Sequence, residues 1–284
     1  MKLDENEISA LLNLIDDPDE EVFHAVSNKL ISYGNSIIPS LENAWENSID
    51  DIATERLGTI IHQINFTALK QDFKDWHQSA HHELMPVLLL ISKFLYANVQ
   101  TAQVIHNIDR LKKNVWLELN NYLTPIEQTT VISSIIYNYF GLKGVEDAKA
   151  ESQHYVLSQV VSSKKGCQTG NGSLYLLLCE LLDIPIRLIN FSESFILGYY
   201  KSIQTDSSHP HPEFFIDPFN GRLFSHTDFH KFLQTAGMAY TDEFIQPLDN
   251  EKTAIKIISN LKKQYDLQHP YTHELDQIIS ILNQ

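Results

Sequence analysis

The hydrophobic period of this chain switches from helical to strand-like at Pro185, and that change confines it to folds in which a run of helices is followed by an antiparallel sheet. Ahead of Pro185 the apolar residues recur three and four apart, as in Ile8, Leu11, Leu12 and Ile15 and again in Val22, Ala25, Val26 and Leu30. That spacing puts them on one stripe of a helix. Beyond Pro185, Ile186, Leu188 and Ile189, then Phe195, Ile196, Leu197, Tyr199 and Tyr200, then Phe214, Phe215 and Ile216 form β-branched and aromatic runs. Polar, turn-forming residues divide them, which is the pattern of strands. The fold class is α+β, helical at the start and again at the end.

Punctuation divides the helical part further. Asp17-Pro18 supplies a helix start, since proline at the first helical position forfeits an amide that has no partner there. Gly34 suits a helix end, and Ile37, Ile38, Leu41 and Trp45 resume the period after it. The stretch from Asp16 to Trp45 resembles a HEAT-type helical repeat, with a degenerate second unit up to about Asn65. Leu84 to Tyr96, Thr101 to Trp116 and Thr124 to Tyr139 are each long and periodic enough to be helices. Val145 to Glu151 reads as a loop, His154 to Val161 as a short helix and Ser162 to Gly166 as a connector. Asn171 to Leu182 is a strongly apolar helix stopped by Asp183-Ile184-Pro185. Gln204 to Pro212 is polar and suits a connection between strands. Glu251 to Tyr265 and Thr272 to Leu282 close the chain as a helix pair. The expected division is 1–125 helical and HEAT-like, 126–240 the α+β core, and 241–284 the C-terminal helices.

Charge narrows the function classes. Lysine and arginine number 21 against 36 aspartates and glutamates, a formal net charge of -15. A phosphate backbone would be repelled by such a surface, so nucleic acid is not an expected partner. The two cysteines, Cys167 and Cys179, are too few for a disulfide framework and point to a reducing, cytoplasmic setting. The first residues are acidic and lack a basic start followed by an apolar run, so no secretory signal is expected. The most apolar short run, Pro86 to Leu90, is far too brief to span a bilayer, and no membrane association is expected. No cofactor is expected either: Gly170-Asn171-Gly172 lacks the lysine and following Ser/Thr of a phosphate-binding loop. His77, His81, His82 and Glu83 include histidines four apart, as a zinc site on a helix would. With no third ligand or catalytic glutamate between them, they read as a solvated helix face, and no metal is expected.

An apolar helix ending in Ile184-Pro185, a strand, a second strand and then Phe215-Ile216-Asp217-Pro218 is an arrangement that resembles a transglutaminase-like core. The resemblance is closer still to the bacterial SirB-type branch, on Phe140-Gly141-Leu142-Lys143-Gly144, Lys164-Lys165-Gly166, Ser173 to Leu178, Ile189-Asn190-Phe191, Phe195-Ile196-Leu197 and Phe215 to Gly221. The tail from Ala254 resembles the start of tetratricopeptide-like helices. Such a core implies a cysteine at a helix start, a histidine on the next strand and an aspartate before a proline on the following strand. The helix N-terminus lowers the thiol pKa, the histidine takes its proton, and the carboxylate orients the imidazole. Here the cysteine position falls on Gln168, with Cys167 one residue before it. The histidine position falls on Ser194, and a serine cannot accept a thiol proton near neutral pH. The aspartate is Asp217.

The expectation is therefore a protein that keeps the fold without the chemistry and binds a protein or peptide partner, Cys167 and Asp217 being vestigial. The alternative is a cysteine-dependent amidase, peptidase or acyl transferase in which Cys167 is the nucleophile and His154, His209 or His211 the base. Cys179, inside the run Leu174 to Leu182, is core packing.

Overall fold

The computed structural model describes residues 5–192, 194–201 and 210–284. The chain divides between residues 74 and 75 into two units.

In the first unit the glycine acts where the sequence puts it, whereas the helix start expected at Asp17-Pro18 comes two residues later, at Asp19-Glu20. Helix α1 (Glu5–Leu12) is followed by α2 (Glu20–Ser32), whose N-cap Asp19 accepts from the Glu21 amide at 2.9 Å. Gly34, at φ 61°, turns the chain into a short 3-10 segment, Gly34–Ile37, and α3 (Ile38–Asn47) starts with Pro39 in its first turn. Helix α4 (Asp51–His77) runs for 27 residues. This goes past the expected limit near Asn65, because no proline interrupts it. Ile8, Ile15, Leu30, Ile37, Leu41 and Ile60 form the core of this unit.

The second unit begins with α5 (Leu84–Leu95), α6 (Thr101–Glu118) and α7 (Pro125–Ser133). Thr124 and Glu127 close the start of α7 as a capping box. Its last turn is wound more loosely: Ser134–Tyr139 is a π-helical stretch, where a single α-helix was expected to Tyr139. Strand β1 (Lys143–Gly144) pairs in parallel with β2 (Lys165–Gly166), which falls in the expected connector. Between them lie a 3-10 turn, Ser152–His154, and helix α8 (Leu157–Ser163), so His154 is not in the helix expected to contain it.

Helix α9 (Gln168–Leu181) starts three residues earlier than its apolar run suggests, with Cys167 as N-cap. Glycines at 170 and 172 weaken its intrinsic propensity, but every residue from Thr169 to Cys179 is buried, so packing decides the boundary. Helices α5, α6 and α8 pack against it. Four antiparallel strands then form one sheet in chain order: β3 (Ile186–Leu188), β4 (Leu197–Tyr199), β5 (Phe214–Asp217) and β6 (Arg222–Phe224). Leu197 faces Ile216 and Asp217 faces Arg222. Helix α10 (His226–Thr235) packs on β5, and Phe191, Tyr200, Phe215, Phe229 and Leu233 form a largely aromatic core there. Helices α11 (Asn250–Lys262) and α12 (Pro270–Leu282) pack on one another, and α11 also lies against α5 and α9. Among the described residues no helix is long and apolar enough to cross a membrane.

Candidate functional site

The site is built at the N-terminus of α9, where Cys167 and Gln168 are successive residues and point different ways. A step of one residue at a helix start turns a side chain by about 100°. Gln168 faces the sheet. Its Nε2 donates to Asp217 Oδ1 at 3.1 Å, and its Oε1 accepts from the Phe195 amide at 3.0 Å. The amide of Gln168 thus bridges the end of β5 to the chain entering β4, one residue after Ser194. Asp217 Oδ1 also accepts from the Phe219 amide at 2.9 Å, tying down its own turn ahead of Pro218.

The turn that carries Asp217 is seated from behind by the loosely wound end of α7. Tyr137 donates its hydroxyl to Pro218 O at 2.6 Å, and Ser133 Oγ donates to Gly221 O at 3.0 Å. Gly221 has φ +75°, and a Cβ there would stand 2.5 Å from the Tyr137 ring.

Cys167 faces away from this cluster. It is fully buried, and its Sγ donates to the carbonyl oxygen of His154 at 3.4 Å. His154 therefore does approach the sulfur, but with its backbone: its Nδ1 accepts from the Glu151 amide at 2.9 Å. Burial pushes the thiol from 9.0 up to about 11, against the amides of Gly170 and Thr169 and the Tyr155 hydroxyl, which favour the thiolate. Asp147 nearby adds to the upward shift. The helix N-terminus thus acts on the thiol as expected, and desolvation outweighs it.

Helix α11 covers this side of the site. Lys256 Nζ donates to Ser192 O at 2.6 Å, Asn260 Nδ2 to Thr169 Oγ1 at 3.0 Å, and Gln264 Nε2 to the Tyr155 hydroxyl at 2.8 Å. Steps of four keep these three residues on one helical face, with Gln264 two residues past the helix end. They reach the chain ahead of Phe195, the first turn of α9 and Tyr155, which lies beside the Cys167 sulfur. Sequence reasoning missed all three and Tyr155; the four-residue spacing is visible in the sequence, but their partners are 64, 91 and 109 residues away.

The glycines of the discounted phosphate loop have a packing role. A Cβ on Gly170 would sit 2.0 Å from His154 O, and one on Gly172 2.5 Å from the Phe195 ring. His211 is exposed beside β5, and His209 lies outside the described residues. The histidines near residue 80 do not form a helix face, because α4 ends at His77. His77 Nδ1 and His82 Nε2 instead stand 2.7 and 3.3 Å from Glu251 Oε1. Among the described residues no three His, Cys, Asp or Glu side chains are grouped to hold a metal.

A model of the transglutaminase-like superfamily matches residues 102–259, more than half of the chain. The chain belongs to the transglutaminase-like superfamily. The matched stretch contains α9, the four-stranded sheet and the covering face of α11 as far as residue 259. The chain is also similar to a protein of Vibrio cholerae serotype O1 described as "UPF0162 protein", 27% identical over 143 residues. That alignment spans half of this chain and half of the relative. No solved structure matches the chain.

Proposed function

We propose that this chain is a non-catalytic transglutaminase-like protein that works as a protein- or peptide-binding module. The observation that carries the reading is the bridge made by Gln168. Nucleophilic catalysis on this fold needs an imidazole between a thiolate and the carboxylate. Here a side-chain amide holds Asp217, Ser194 replaces the base, and the sulfur faces a carbonyl that cannot take its proton. A thiol shifted up to about 11 is also almost wholly protonated at neutral pH.

Within the superfamily, the resemblance of Phe140 to Gly144 and Phe215 to Gly221 to the SirB-type branch belongs to the same proposal. So do the HEAT-like character of residues 16–45 and a cytoplasmic home, the latter supported by two buried free cysteines. A binding role is supported by a cleft of about 480 Å³ between the end of α6 and the Leu181 to Pro185 turn, bordered by Trp116, Leu119, Gln128, Leu182 and Ile184.

The test is a panel of glutamine-donor, amide and ester substrates offered to the protein and to Cys167→Ala. Both should show only background rates. Turnover by the wild type that Cys167→Ala abolishes overturns the reading, and establishes instead the cysteine-dependent enzyme. That second reading rests on the Thr169 and Gly170 amides directed at the sulfur.

A further inference from the structure

Four of the large apolar side chains that the fold leaves exposed lie within eleven residues around the corner between α6 and α7. Trp116 is 65% exposed, Leu117 62%, Tyr122 96% and Ile126 57%. Together they offer on the order of 500–700 Å² per molecule, close to the ~800 Å² that each partner buries in a standard interface. An isolated soluble surface seldom carries an apolar patch of that size without covering it.

Charge decides what covers it. Residues 109–127 carry three acids, Asp109, Glu118 and Glu127, and three bases, Arg110, Lys112 and Lys113, so this stretch is neutral on a chain of net charge -15. Two copies of so acidic a protein repel one another over most of their surfaces. Across this corner the repulsion is weaker, the three bases offsetting all but Asp183, which lines the cleft beside Trp116. A two-fold interface also needs a self-complementary patch, with each sign of charge able to meet its opposite on the other copy.

A second exposed apolar group among the described residues, Trp45, Ile49 and Ile52, differs in its charge. It is set among Glu42, Glu46, Asp50, Asp51 and Glu55 with no base between residues 42 and 55, so like charges would meet there.

We propose that the α6–α7 corner is a self-association surface, on which a second copy of this chain docks around Trp116 and Tyr122 in a two-fold dimer. The proposal goes beyond the binding reading above and does not depend on whether Cys167 does chemistry. Because Trp116 also borders the cleft beside the Leu181 to Pro185 turn, the docked copy would itself cover that cleft; a monomeric protein overturns the dimer alone, and the non-catalytic reading is tested separately by the substrate panel.

The experiment is sedimentation velocity with light scattering, from low micromolar to several hundred micromolar protein. The wild type should approach twice 32.6 kDa. Trp116→Asp with Tyr122→Asp should weaken association by about a hundredfold or more, as loss of buried aromatic anchors does. Circular dichroism should stay unchanged, and the melting temperature should match that of the wild type at concentrations where both are monomeric. Leu117→Asp alone, a milder change on the same corner, should act in the same direction, and it carries the test if the double variant does not fold. Ile49→Asp with Ile52→Asp should leave the dimer intact. A wild type that is monomeric throughout, a dimer that survives the corner substitutions, or one lost on the Ile49/Ile52 change would each overturn the proposal.

Discussion

Gln168 donates to Asp217 at 3.1 Å with one end of its amide and accepts from the Phe195 N–H at 3.0 Å with the other. Both partners of the bridge are left short if it is cut. Gln168→Ala should cost about 1–3 kcal/mol in urea unfolding, the usual penalty for stranding half-buried polar groups. Gln168→Glu keeps the shape but sets a second carboxylate against Asp217. Like charges raise the folded pKa of the pair above its unfolded value. The stability of this variant should therefore be closest to wild type in acid and fall as pH rises through that raised value. If Gln168→Glu is no worse at pH 8 than at pH 4, the bridge does not hold Asp217 as described.

The two glycines of α9 should differ in their tolerance of a methyl group. On Gly170 a Cβ would meet a backbone carbonyl, that of His154, at 2.0 Å; on Gly172 it would meet the side chain of Phe195 at 2.5 Å. A ring can shift a few tenths of an ångström, whereas the His154 carbonyl is fixed by accepting from both the amide and the thiol of Cys167. Overpacking of this kind costs roughly 1–3 kcal/mol where neighbours give way, and more where they cannot. Chemical denaturation should rank Gly170→Ala as the more damaging, and the reverse order would contradict the packing at the helix start.

Alkali should loosen the fold through its buried protonated groups. Cys167 rises from 9.0 to about 11, with burial the leading cause. A group raised in the folded state contributes its stability fully below the lower value and loses it as pH climbs through the higher. For Cys167 that loss is about 2–3 kcal/mol between roughly pH 9 and 11. The Cys179 thiol and the hydroxyls of Tyr137, Tyr175 and Tyr200 are raised in the same direction, again chiefly by burial. Unfolding free energies measured from pH 7 to 11 should stay nearly level to about pH 8–9 and then fall, with a shallower slope in Cys167→Ala. Identical slopes would mean that the thiol titrates as if exposed.

Much of this architecture is legible in the residues because burial writes itself as pattern. The run Leu174 to Leu182 and the stop at Pro185 locate α9, and Phe215 to Pro218 locates the aspartate. What the chain conceals is direction. Cys167 and Gln168 stand one residue apart, and nothing local tells which of them turns toward Asp217. His154 is close to the sulfur, but by its carbonyl, and a sequence names side chains rather than the backbone groups they expose. The division near residue 74 is silent for another reason: it falls within the unbroken period of α4. The partners of Lys256, Asn260 and Gln264 are equally unmarked, since contacts so distant along the chain leave no spacing to read.

The loosely wound turn at the end of α7 makes the seat of Asp217 sensitive to chain length. A π-helical turn holds one residue more than an α turn, so Ser134–Tyr139 presents Tyr137 at an angle that regular α winding would not give it. Removing one residue there would close the helix and swing Tyr137 by about 100° away from Pro218. The geometry of the Asp217 turn is thus tied to the winding of a helix some eighty residues upstream along the chain.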